Sequence, residues 1–172
     1  MSAIGGCVAI AAVLSVSEYF VGAGAAGLLV ASMGASAVLL FSSPHGPLSQ
    51  PWPMLGGHLV SGAVGVACAR FIETRSLAAA LAVGLSIALM LMLRCVHPPG
   101  GATALSAVIG SQSVKALGFT YLLTPVLLNA VITLGVAVAF NGLFGWRRYP
   151  AYLAARLDRT PGDAPGDSRV QA

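Results

Sequence analysis

The chain alternates long apolar runs with brief polar interruptions, and the spacing of the interruptions predicts its elements. No Asp, Glu, Lys or Arg stands between Glu18 and Arg70, from Ser76 to Leu93, from Cys95 to Val114, or from Ala116 to Trp146. A bilayer crossing takes about 20 apolar residues, so each gap is sized for one span or a pair. The pattern predicts a first helix over Ile4–Phe20 and, after the glycine-rich VGAGAAGLLVAS, a short helix over Met33–Phe41. Long helices follow over Met54–Ile72 and Leu77–Arg94, then a second short helix from an HPPGG break to Ile109 and a last helix over Val114–Phe144. The segment Ser42–Pro53 holds five prolines and glycines in twelve residues and reads as a loop. The fold class is therefore all-α: a polytopic helical membrane protein with four or five full transmembrane helices and two short broken or re-entrant ones.

Composition agrees. Of 172 residues, 57% are hydrophobic and 8% charged, with a mean hydropathy of +0.87, where soluble domains carry about 25% charged residues. Met1–Ser17 lacks the basic start of a secretion signal and leads into more membrane-grade sequence, so it reads as the first helix. The organisation expected is a transmembrane domain over residues 1–148 and a flexible polar tail over 149–172, where Arg156, Asp158, Arg159, Asp163, Asp167 and Arg169 gather around Pro and Gly. A net charge of +4 does not point to nucleic acid, because the basic residues are scattered over helix ends and the tail. By the positive-inside tendency, the Arg70–Arg75 turn and the Arg147–Arg148 end are expected together on the cytoplasmic face, with the Ser42–Pro53 loop and Lys115 nearer the other. Cys7, Cys68 and Cys95 have no CxxC or metal-ligand spacing and read as small core residues.

Two short segments resemble each other. GASAVLL begins at Gly34, 67 residues before GATALSA at Gly101, and GVACA (Gly65–Ala69) recurs as GVAVA (Gly135–Ala139). Chance similarity between small-residue stretches is one reading. An internal repeat is the other, and transporters place interrupted segments in corresponding positions of two halves.

The HPPGG break has a definite chemistry. Pro98 disfavours helix at His97, so the incoming helix ends there, and Pro99 suits the first position of a new one. Gly100, Gly101, Ala102 and Thr103 would form its first turn, with backbone N–H groups open to a ligand and no bulky side chains in the way. A helix start of this kind attracts anions. Met33, Gly34, Ala35 and Ser36 are expected to offer a second one opposite it. The alternative is a plain surface turn, since unsatisfied backbone within a bilayer is tolerated only inside protein or beside water.

His58 either bonds across a helix interface or lines a path, and Asn129, four residues after the helix-loosening Pro125, either bridges helices or faces the pathway. His45 reads as a loop residue. Gly57, Ser61, Gly65 and Ala69 recur every four residues, the stripe of close helix packing. Arg94 either snorkels to the surface or helps draw in an anion. Three histidines without paired Cys or nearby carboxylates do not suggest a metal, and the absence of a nucleophile–base pair argues against an enzyme. No cofactor is expected.

The motifs MGASAVLLF, PLSQPWPMLGGHLVSG, HPPGGATAL and PVLLNAVITLGVAVAFN, in this order within Ile4–Leu143, resemble the HPP family of small integral membrane proteins. The resemblance implies a multi-pass protein and transport of a small inorganic anion, nitrite above all. The substrate-binding residues would then be His97, Pro98, Pro99, Gly100, Gly101, Ala102 and Thr103, with Met33, Gly34, Ala35, Ser36, His58 and Asn129. The family motif often has Ala where Gly100 stands. The other readings are a non-transporting scaffold subunit or a membrane-embedded enzyme; homo-oligomers fit any of them.

Overall fold

A computed structural model describes residues 2–22 and 27–152; most of the tail expected over 149–172 lies outside them. The helices are α1 (Ser2–Val21), α2 (Gly27–Ser42), α3 (Pro51–Phe71), α4 (Arg75–Met92), α5 (Pro99–Ile109), α6 (Gln112–Ala116) and α7 (Leu128–Gly142). A tight turn over Gly118–Leu122 and a widened one over Leu123–Leu127 lead into α7. Four stretches are long and apolar enough to cross a membrane, Ser2–Phe20, Pro51–Phe71, Arg75–Met92 and Gly118–Gly142, and two shorter apolar helices lie among them. The chain is an all-α polytopic membrane protein.

Local chemistry sets the boundaries. Pro51 and Pro99 each open a helix at the position that needs no N–H. Arg94 ends α4 in the left-handed conformation, φ 52°, while Cys95 N–H reaches back to the Met90 carbonyl; this closure turns the chain inward towards His97. The predicted helix Val114–Phe144 is in fact interrupted: Thr124, just before Pro125, is extended at φ −132°, ψ 118°, the region to which a proline ring confines the residue before it.

Contacts at the helix ends define two ends of the bundle. At one, the Arg147 guanidinium donates to Ser2, Asn141 and the Phe41 carbonyl, and His45 Nε2 donates to the Arg148 carbonyl. Tyr149 donates to the Ser49 carbonyl and Ala151 N–H to Gln50. At the other end, Arg75 caps the Ile109 carbonyl, and Arg70, Lys115 and Gly118 line one pocket. The chain thus traverses the bundle six times, α2 and α5 included.

This overturns the expected charge topology. The Ser42–Pro53 loop shares an end with Arg147 and Arg148, while Arg70, Arg75 and Lys115 share the other. The reason is that the short helices do not re-enter: each carries the chain across and so reverses the face of everything after it.

The packing has a two-fold pattern. Exchanging α1, α2 and α3 with α4, α5 and α7 leaves the neighbours unchanged: α1 packs on α2 and α7 as α4 packs on α5 and α3, and the α3–α5 contact matches α2–α7. The α2–α5 and α3–α7 contacts map onto themselves. With three traverses per half, the halves run in opposite directions, the inverted arrangement of many transporter folds. Ser32 and Pro99 hold equivalent places, 67 residues apart, and touch: Ser32 Oγ donates to the Pro99 carbonyl at 2.9 Å.

Candidate functional site

The tightest packing lies between α3 and α5. A Cβ on Gly65 would meet the Ala104 carbonyl at 2.5 Å, one on Gly57 the His97 Cβ at 2.6 Å, and one on Gly100 the Ser61 Oγ at 2.7 Å. The four-residue stripe therefore packs backbone against backbone, as its spacing predicts. This approach brings His97 and α5 against His58, which sits seven residues after Pro51 and so about 10 Å into α3. The HPPGG break is inside the bundle rather than at its surface, since α5 with 11 residues spans only about 16 Å.

There a polar cluster forms from three helices and the break. Ser36 Oγ lies 2.9 Å from both His58 Nε2 and His97 Nε2. The two rings meet edge-on with centroids 4.9 Å apart. Thr103 Oγ1 lies 2.7 Å from His58 Nδ1 and 2.7 Å from Ser32 Oγ. His97 Nδ1 donates to the Leu48 carbonyl at 2.8 Å, which fixes its neutral form with the proton on Nδ1. Tyr121 Oη donates to the Thr103 carbonyl at 3.0 Å. Ser32, Ser36, His58, His97 and Thr103 are all 0% exposed, so each polar atom depends on its neighbours.

The structure thus joins Ser36, His58, His97 and Thr103, and adds Ser32. Several expectations fail. Met33 and Gly34 do not start a helix, because α2 begins at Gly27; their N–H groups lie inside it. Met33 is buried, Ala35 is exposed, and Gly34 lines an outer apolar groove between α1 and α2 with Gly6, Cys7 and Phe41. The open donor turn at Gly100 and Gly101 is closed too. Gly100 N–H donates to the His97 carbonyl at 2.9 Å and Gly101 N–H to the Pro98 carbonyl at 3.1 Å. Pro98 is exposed, Pro99 and Gly100 are buried and Ala102 is half-buried; a Cβ on Gly101 would meet open space. Asn129 bonds elsewhere: its Nδ2 donates to Ser17 on α1 at 2.7 Å, while its buried Oδ1 has no partner among the described residues.

A six-traverse helical bundle with opposed halves and a buried polar core at their junction defines a class, the polytopic membrane proteins built from inverted repeats. The particular family follows from comparison: the model of the HPP transmembrane region matches residues 1–150, and the chain belongs to that family. It is similar to two transmembrane proteins of Dictyostelium discoideum, 41% identical over 129 residues and 39% identical over 128. The matches cover 73% and 72% of this chain, but only 45% and 41% of the relatives, so the chain spans less than half of either. No solved structure matches it.

Proposed function

We propose that the protein carries a small inorganic anion across the membrane, nitrite being the first candidate, with the Ser36–His58–His97–Thr103 cluster as its polar core. The observation that carries this reading is that cluster. Five fully buried polar side chains from α2, α3, α5 and the break meet where the two halves cross. A packed membrane interior gains little by keeping such groups unless they act, because each must be satisfied at a desolvation cost. Imidazole N–H and hydroxyl groups, once turned from their partners within the cluster, are the donors a small oxyanion needs when its hydration shell is removed. Inverted halves support the reading, since rocking one half against the other can expose such a core to either side in turn.

The test is uptake of nitrite into proteoliposomes holding the purified protein, under an imposed pH gradient and, separately, under a membrane potential. Uptake well above empty liposomes is expected, and His97→Ala should reduce it at least tenfold. Uptake equal to that of empty liposomes in both conditions overturns the reading.

A further inference from the structure

In its neutral state the cluster is one hydrogen short. Its two ends are the carbonyls of Leu48 and Pro99, and carbonyls only accept. Between them run six contacts of 2.7–2.9 Å: Leu48 to His97, His97 to Ser36, Ser36 to His58, His58 to Thr103, Thr103 to Ser32, and Ser32 to Pro99. Each contact requires one hydrogen. In the neutral state His97, Ser36, His58, Thr103 and Ser32 contribute one apiece, so one contact is left with two facing lone pairs. The Ser32 carbonyl, 3.2 Å from Ser36 Oγ, is a further acceptor and only deepens the shortage.

One added proton completes the chain. With His58 doubly protonated, its Nδ1–H donates to Thr103, Thr103 to Ser32 and Ser32 to Pro99; its Nε2–H donates to Ser36, Ser36 to His97 Nε2, and His97 Nδ1–H to Leu48. With His97 doubly protonated, only the two contacts at Ser36 reverse direction. The forms interconvert when His58 Nε2 releases its proton to Ser36 Oγ and Ser36 passes its own to His97 Nε2, with no net change in protons. A second added proton would leave both Nε2–H groups aimed at Ser36 and two charges on rings 4.9 Å apart.

We propose that the cluster binds a single proton, shared between His58 and His97 through Ser36, and that this proton crosses together with the anion. The coupling rests on the transport reading; the proton site does not. The surroundings favour joint binding. Around the cluster, α2 contributes Ser32 and Ser36, α5 Thr103 and, through Tyr121, Ser106, and α3 Ser61 beside Gly100. The titratable neighbours are Cys95, against Gly56, and Tyr121, bonded to the Thr103 carbonyl, while Arg94 is exposed. No Asp, Glu, Lys or Arg among the described residues bonds to the cluster. An added proton therefore arrives without a resident counter-charge, which is costly in a buried site, and a bound anion supplies one.

The experiment uses the full chain in lipid nanodiscs with ¹⁵N-labelled histidine, titrated with and without nitrite. Nitrite should shift uptake of one imidazolium equivalent, distributed over His58 and His97, to higher pH by a unit or more. Ser36→Ala should make the two rings titrate independently, and Ser36→Thr should restore the joint behaviour. Two charges, or none down to pH 5 with nitrite present, would overturn the proton site. In proteoliposomes with the potential clamped, an acid-outside gradient should drive nitrite accumulation at least tenfold more in the native protein than in Ser36→Ala. Accumulation under a potential with no accompanying proton movement would overturn the coupling alone. Absence of uptake under every gradient, with the one-proton titration intact, would overturn the transport reading and leave the proton site standing.

Discussion

Thr103 shows how much one side chain holds together. Its hydroxyl faces His58 and Ser32, its carbonyl accepts from Tyr121, and its own backbone belongs to the first turns of α5. Thr103→Val keeps the shape and removes the hydroxyl, so His58 and Ser32 lose a buried partner at a cost of about 1–3 kcal/mol; Thr103→Ser should recover most of it. Chemical unfolding in detergent reads the difference. Gly65→Ala drives a methyl into the Ala104 backbone, where nothing flexible can give way, and should cost about 1–3 kcal/mol. Gly84→Ala, with open space at its Cβ, should stay within about 1 kcal/mol of the parent or gain stability. The sequence singles out His58 and His97 as polar positions, and Ser36 and Thr103 only as first-turn residues of two expected helix starts. It hides Ser32, which stands between Ala31 and Met33 one turn before Ser36; the spacing of four between two serines is the signal that could have found it. The same reading errs at Met33 and Gly34 because a glycine inside an apolar run does not have to open a helix.

At the scale of elements, the decisive features are the two helix ends that bring α5 inward. Arg94 adopts a left-handed conformation that costs a non-glycine residue roughly 1–2 kcal/mol, and its side chain is exposed. Arg94→Gly should therefore raise stability by up to about 1 kcal/mol and leave anion uptake unchanged, which a thermal scan and a flux assay on one preparation can check. A large loss of uptake would instead assign Arg94 a role in drawing in the anion. At the far end of α7, Arg147 is 6% exposed and forks to α1, α2 and α7. Arg147→Lys cannot reproduce that geometry with one ammonium, and a loss of about 2 kcal/mol is expected from its charged hydrogen bonds. Nearby Tyr149 is held neutral, since burial pushes its phenol well above the usual range, and it remains a donor to Ser49 at physiological pH. Pro99 and Pro125 made two of these boundaries legible in the sequence, whereas Pro51 opens α3 three residues before the start read at Met54, because a proline in a Pro/Gly-rich stretch also suits the first position of a helix. Arg94 and Arg147 were not legible, because a charge at a helix end looks the same whether it snorkels, caps or is buried.

At the scale of the molecule, six traverses replace the uncertain count that hydropathy allows. Epitope tags inserted at Gly46 and after Tyr149 should be labelled from the same side of the membrane, and a tag at Thr74 from the opposite side; labelling of all three from one side would refute the topology. Charge could not have revealed it, because Arg94, Arg147 and Arg148 at one end are matched by Arg70, Arg75 and Lys115 at the other. The contact between Ser32 and Pro99 carries the last consequence. Two residues at equivalent positions can touch only where the axis relating the halves passes between them, so the cluster sits on the seam between the two halves. Each half then owns only part of the cluster, and the link between them holds together what packing alone already joins: separate polypeptides divided between Glu73 and Thr74 should reassemble in one membrane and rebuild the cluster across their interface.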